Sequence, residues 1–405
     1  MTRFSELTDY LAIPAVTSLR LSPDGSWLAA AVQAPGPESS KFGTSIWRID
    51  TGGGSPTRLT RSAEGESAPE FLPDGSLLFV SKRPEPAPKK EGGGDDAKPG
   101  LWLLPPAGGE ARRVAAPPGG VAAVSVARSA QRYLITTAAF AGTTNADDDA
   151  ARRKARTDIG VSAILHENGP VRFWDHDLGP DGLRLHAGEA AGMADDAGAG
   201  PGTRDLTPDS DRALDEQAFC ISPDGTTAVS GWAVFEGDAD KRDELVAIDV
   251  ETGKRRTLAG ASGYDFGEPA ISPDGLHVVA IRSEHDSYAR PGDVTLVSAP
   301  LDGDQAEWRD LLSGFDRRPL SVAWAADGKS VYFTADDNGR RPVFAVSVGT
   351  GEVTRVTTDD AAYESLCPDP DGNALYALRA AIGEPPTPVR IDLARPGAEV
   401  ERLGS

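Results

Sequence analysis

The feature that most restricts the fold is a phrase, Ser-Pro-Asp-Gly or a near variant, that recurs between apolar runs along the whole chain. Six copies turn at Asp24, Asp74, Asp224, Asp274, Asp327 and Asp371: SLRLSPDGSWLAAAV, FLPDGSLLFVS, FCISPDGTTAVSGW, AISPDGLHVVAIRS, VAWAADGKSVYFTA and LCPDPDGNALYALRA. A seventh, degenerate copy is VSVARSAQRYLITTAAF, in which the stretch from Arg128 to Arg132 replaces the turn. An Asp-Gly turn between β-rich apolar runs signals a hairpin, because Gly reaches positive φ without a Cβ clash. A second strand pair follows each hairpin, for example SIWRID with PTRLT in the first repeat and ELVAIDV with KRRTLA in the fourth. Four strands per repeat and seven repeats predict an all-β chain, a seven-bladed β-propeller of four-stranded antiparallel blades. The blades are expected at about 16–60, 67–115, 120–207, 215–259, 267–312, 319–357 and 362–403, after a lead-in segment over residues 1–15.

No strand is borrowed to close this ring, so closure is expected to rest on packing between blades 1 and 7 and to be a place where the ring loosens. With the strands of a blade lettered a to d, the a–b turns are short and the excess length lies in the b–c connections. These are QAPGPESSKFGT in blade 1, KRPEPAPKKEGGGDDAKPG in blade 2, an insert over about 142–180 in blade 3 and SEHDSYARPG in blade 5. One face of the ring is therefore trimmed and the other elaborated, and elaboration on one face marks the binding side. The blade 2 connection reads as a mobile, solvated linker. In the blade 3 insert, NADDDAARRKARTD reads as a short helix, acidic at its start and basic towards its end as the helix dipole prefers. The last two strands of blade 3 are joined by a longer stretch, 189–202.

Composition narrows the partners. The chain has 62 acidic and 41 basic residues among 405, a formal net charge of -21, and an acidic body repels nucleic acid and anionic membranes. Neither class of partner is expected. The two cysteines, Cys220 and Cys367, each lie in a strand-like run and read as small buried hydrophobes. The start, MTRFSELTDYLAIP, lacks the apolar segment of a secretory signal, and no run approaches the roughly 18 apolar residues of a membrane span, which makes the cytoplasm the expected location.

The densest mixture of charged, aromatic and titratable groups is the run Arg172, Phe173, Trp174, Asp175, His176 and Asp177. Two readings of it stand. Arg172, Trp174, Asp175, His176 and Asp177 could form a contact site for substrate or a neighbouring domain, the Arg orienting a peptide terminus and the Trp offering a flat packing surface. Equally, an Arg-Asp pair and a buried Trp174 could anchor the insert onto the propeller. Metal chemistry finds no support: His166, His176, His186, His277 and His285 form no pair at helical spacing, and the acidic runs at Glu236 and Asp369 lack the twelve-residue calcium loop. A metal-dependent hydrolase site on the innermost strands is disfavoured too, because His and acidic residues do not recur there. No Ser lies in a Gly-x-Ser-x-Gly elbow, so no catalytic residue and no cofactor is expected.

The opening FSELTDYLAIPAVTSLRLSPDGSWLA, the repeated Ser-Pro-Asp-Gly turns, and above all VRFWDHDLGPDGLRLHAGE followed by RDLTPDSDRALDEQAFCISPDG resemble the N-terminal propeller of the prolyl oligopeptidase family of serine peptidases, in its bacterial acylaminoacyl-peptidase and dipeptidyl-aminopeptidase branch. The resemblance implies a propeller that precedes an α/β-hydrolase domain, covers its active site and restricts entry to short or unfolded peptides. This sequence ends at Arg402, Leu403, Gly404 and Ser405, where that domain would begin. Two functions follow as expectations. One is a gating, substrate-selecting propeller for a hydrolase domain or separate hydrolase chain, in a truncated or split gene product. The other is a stand-alone WD40-like or TolB-like scaffold that binds a protein or peptide on the same face. An exposed apolar patch on the b–c face would point to a missing partner.

Overall fold

A computed structural model describes residues 6–36, 41–84, 98–166, 170–190, 202–237, 240–303, 308–395, 397 and 399–404. The chain is a seven-bladed β-propeller: seven antiparallel sheets, each of four strands in sequence order, over 15–58, 66–115, 123–205, 219–259, 264–310, 319–355 and 362–402. Among the described residues two helices accompany them, α1 (Leu7–Leu11) in the lead-in and α2 (Ala146–Ile159) in the blade 3 insert. Most of the blade 2 b–c connection and of the stretch between the last two strands of blade 3, and part of the acidic run from Glu236, lie outside the described residues. No helix among the described residues is long and apolar enough to cross a membrane.

The repeated phrase works through a small hydrogen-bond system. In blade 1 the Ser22 hydroxyl donates to Asp24 Oδ1 at 2.6 Å, Ser26 N–H donates to the same oxygen at 3.1 Å, and Gly25 N–H closes the turn on the Ser22 carbonyl at 2.9 Å. Gly25 sits at φ +71°, where a side chain would be strained. Ser272 and Asp274 repeat the arrangement in blade 5. Donation from these serines holds the Asp24 and Asp274 carboxyls below the usual range, so the turns stay charged at neutral pH. The first strands carry a device that the sequence did not disclose: the pairing register slips near Ala68, Glu268 and Ser365, each at positive φ. Such bulges add local twist.

Residues Met1–Ala97, Leu101–Arg112 and Gly314–Ser405 form one compact unit, and Lys98–Gly100 with Arg113–Ser313 form another. In the first, blade 7 packs against blade 1: Leu19, Leu28 and Ile49 share a core with Cys367, Tyr376, Leu378 and Leu403. Blade 1 takes its strands from 15–58 and blade 7 from 362–402, so no shared strand joins them and side-chain packing makes the seam. In the second unit, Leu134 and Leu185 of blade 3 pack with Ile221, Val246 and Ile248 of blade 4. Cys367 is buried and Cys220 is half-buried against the core of blades 4 and 5.

Candidate functional site

The blade 3 insert begins where its second strand, Arg132–Phe140, ends, and returns at its third strand, Asp181–Glu189. Its helix is set by its sequence: Asn145 caps it by accepting from Asp148 N–H at 2.9 Å, three Asp residues occupy the first turn, and Gly160 ends it in a left-handed conformation. Nearly all of α2 is solvated, so polar contacts rather than a hydrophobic face hold it down. Buried Asp149 accepts from Phe140 N–H at 2.9 Å and from Arg153 Nε at 2.7 Å, and Arg153 reaches on to Asp181 at 2.9 Å and to the Ala138 carbonyl at 2.8 Å. From below, buried Arg184 donates to the carbonyls of Thr143 (3.0 Å) and Phe140 (2.9 Å) and to Asp205 (2.9 Å).

Beyond α2 the chain makes a small hairpin that contains every candidate contact residue. Arg172 and Asp177 bridge across it, with Arg172 Nε 3.6 Å from the Asp177 carboxylate. His176 Nδ1 donates to Asp175 at 2.6 Å, which holds that carboxyl below its usual range, and the His176 ring stands edge-on to Phe173 at 5.8 Å. Trp174 is at the tip, 97% exposed. The reading in which a buried Trp174 anchors the insert is therefore overturned. The anchor is Leu178, buried and hydrogen-bonded through its N–H to the Val171 carbonyl at 3.0 Å. Arg172 and Asp177 are both well exposed, and a surface pair of this kind contributes little to stability, about 0–1 kcal/mol. What the hairpin presents is an indole in water, flanked by charges of both signs.

Trp174 has company. Within the same compact unit, Ile159, Leu165 and Val171 are exposed on the blade 3 insert, Phe235 at the b–c end of blade 4, and Tyr288 on the b–c connection of blade 5. The a–b turns of that unit expose one large apolar side chain among the described residues, Leu276. Trp174 and its companions all lie at the b–c connections of blades 3 to 5; exposed apolar side chains that gather in one patch mark interaction surfaces, whereas scattered ones are ordinary.

Sequence reasoning missed a second cluster, at the foot of the insert. His186 is paired across the sheet with Asp205, its Nδ1 is 3.0 Å from Thr203 Oγ1, and its Nε2 lies 3.9 Å from Asp205 Oδ1. Burial is the largest influence on this imidazole and holds its pKa below the ordinary value; Arg184 acts the same way, while Asp205 and Asp149 oppose. A histidine lowered on folding favours the folded state above its unfolded pKa, about 6.5, and that contribution is lost as pH falls below it. His285, raised by its hydrogen bond to Asp265, acts with the opposite sign, and substitution at position 186 leaves its contribution in place. The urea midpoint is therefore expected to fall less in His186→Gln than in the unmodified chain between about pH 7.5 and about 5.5. Parallel curves would show that the pKa of His186 does not change on folding.

The resemblance read from the sequence extends to the fold. Acylaminoacyl peptidase from Pyrococcus horikoshii superposes with a TM-score of 0.68 at 13% identity, over 98% of this chain and 53% of that one. An acylaminoacyl peptidase in complex with Z-Gly-Gly-Phe-chloromethyl ketone gives 0.67 at 13% identity, over 97% and 52%. The propeller domain of the Trilobed protease from Pyrococcus furiosus, described as having an open velcro topology, gives 0.63 at 11% identity, over 96% and 97%. Among curated sequences, dipeptidyl-peptidase 5 of Porphyromonas gingivalis is 24% identical over 149 residues, 36% of this chain and 21% of that protein. The chain thus spans about half the length of the two acylaminoacyl peptidases, and its alignment covers about a fifth of the dipeptidyl-peptidase. No protein-family model matches the sequence.

Proposed function

We propose that this chain is the substrate-selecting propeller of a prolyl-oligopeptidase-type serine peptidase, and that its b–c face seats an α/β-hydrolase domain. The observation that carries the reading is the set of exposed apolar side chains on the b–c connections of blades 3 to 5, with Tyr288 and Trp174 the most exposed among them. Isolated, that face is a liability in water; covered by a partner, it supplies the apolar centre that an interface needs. The acylaminoacyl peptidases whose propeller halves match this chain contain a further half, which supports a hydrolase domain as the occupant. The chain would contribute size exclusion and contacts to peptides, with nucleophile and proton transfer supplied by the partner.

The test uses an α/β-hydrolase domain found in the same or the adjacent reading frame, and finding none there would count against the proposal. Trp174→Ala is expected to leave the melting temperature unchanged, because an indole in water contributes nothing to the core. It should weaken binding of the hydrolase domain at least about thirtyfold, the cost of losing a central aromatic anchor. Binding should also bias the hydrolase towards short peptides. Unaltered affinity in both Trp174→Ala and Leu165→Ser, or an unchanged ratio of short to long peptide cleavage, sinks the proposal. Binding of an unrelated protein through the same residues would favour the scaffold instead.

A further inference from the structure

The third strands of three blades can be aligned by their hydrogen bonds. Leu59 N–H donates to Ile46 O at 2.8 Å, Val356 to Val343 at 2.8 Å and Leu206 to Leu185 at 2.9 Å. The next threonine hydroxyls, Thr60, Thr357 and Thr207, each accept from the N–H of that strand residue at 2.9 Å. Ile46, Val343 and Leu185 are therefore equivalent. Their flanking residues point the other way: Ser45 and Trp47 in blade 1, Pro342 and Phe344 in blade 6, but Arg184 and His186 in blade 3. Where the other two blades use an aromatic ring, blade 3 holds an imidazole beside a buried guanidinium.

At these residues blade 3 has a cavity of about 430 Å³. Thr137, Arg184, His186 and Asp205 line it together with small apolar residues including Val114, Pro117 and Ala139. Thr137 faces it because it pairs across the sheet with Arg184, two positions from the pair of Ile135 with His186. Thr137 is 2% exposed, yet its hydroxyl has no hydrogen-bond partner among the described residues, and neither has His186 Nε2. Buried polar groups are nearly always satisfied, so two orphans lining one cavity indicate something that satisfies them.

We propose that this cavity is a binding site for a small neutral amide with an apolar body, such as a blocked amino-acid amide. Its volume falls in the range of small-ligand pockets, about 300–1,000 Å³. Charge selects against ions: an anion would meet Asp149 and Asp205, and a cation would meet Arg113 and Arg184. An amide carries one N–H and one carbonyl, and a hydroxyl and a neutral imidazole can each donate to or accept from it. The apolar lining residues take the side chain. The site does not depend on the docking face, and its presence or absence leaves that proposal untouched.

The experiment titrates the full chain with N-acetyl-prolinamide and N-acetyl-leucinamide, with acetate and butylamine as charged probes, and follows the His186 imidazole by NMR alongside calorimetry. At least one amide is expected to saturate with a Kd below about 1 mM and to move the His186 signals, with neither charged probe doing so. Thr137→Val, which keeps the shape and deletes the hydroxyl, should weaken binding about tenfold, and Ala139→Leu, which fills the cavity, should abolish it. Saturation by neither amide leaves a cavity that holds water only and overturns the proposal. Binding that is unchanged in Ala139→Leu, or stronger for a charged probe, overturns it equally.

Discussion

Replacing Arg184 by alanine is expected to destabilise the chain by about 2–4 kcal/mol and to open the blade 3 insert to trypsin, because removing a buried guanidinium leaves its acceptors short of a donor, at about 1–3 kcal/mol for each one left unsatisfied. Arg184 is 5% exposed and donates to three acceptors: the Phe140 and Thr143 carbonyls, where the insert departs, and the Asp205 carboxylate. Alanine would strand the Thr143 carbonyl and Asp205 Oδ2, while the Phe140 carbonyl keeps the Thr143 hydroxyl and Asp205 Oδ1 keeps the Thr207 N–H. Tryptic sites are at hand in Arg152, Lys154 and Arg156 of α2, whose attachment depends on that departure point. Lysine at 184 keeps the charge but loses the planar fork that spans separate acceptors, so Arg184→Lys should fall between alanine and the unmodified chain. Equilibrium unfolding and limited proteolysis read the two effects. A loss under about 1 kcal/mol with unchanged nicking would show that Arg153 and Asp149 hold the insert unaided.

At the seam, Leu378→Ala should cost about 2–5 kcal/mol, the range for deleting a fully buried leucine side chain. Leu378 has no exposed surface and packs in the core shared by blades 1 and 7. Its location should make the effect uneven. With no common strand, the seam has no ladder of hydrogen bonds to fall back on, so amide exchange should accelerate in the first strand of blade 1, Ala15–Leu21, and that of blade 7, Ala362–Pro368. Leu245→Ala in blade 4, also fully buried, serves as the comparison. Equal acceleration at the seam in both variants would mean that the ring opens as one body, and the seam would then have no weakness of its own.

The repeat made the fold legible because its turn carries its own chemistry: Ser, Asp and Gly each have a bonding or conformational task, and six copies fix the period. The degenerate copy in blade 3 was recognisable by its strands alone. The bulges in the first strands were not legible, since Ala68, Glu268 and Ser365 share no residue type. At the candidate site, the sequence singled out the hairpin from its density of chemistry and left the place of Trp174 open between burial and exposure. Strand alternation could not resolve this, because the hairpin belongs to no blade and, among its described residues, Leu178 alone is buried. The cavity residues were legible in principle. Arg184 and His186 alternate with apolar Leu183 and Leu185, and comparison of equivalent strands shows how they depart from Ser45 with Trp47 and Pro342 with Phe344.

The seam between blades 1 and 7 also has a history in time. Every strand pairs with a neighbour in sequence, so each blade can form as soon as its own residues are available, through contacts of short range. The seam is different: the Cys367 thiol meets the Leu19 carbonyl across 348 positions of chain. At ribosomal speeds of about 5–20 residues per second, the apolar flank of blade 1 waits roughly 20–70 s before the strands that cover it exist. Over that interval the nascent chain presents Leu19 and Leu28 to whatever else is nearby, and its yield in a cell depends on how well that flank is shielded while synthesis runs.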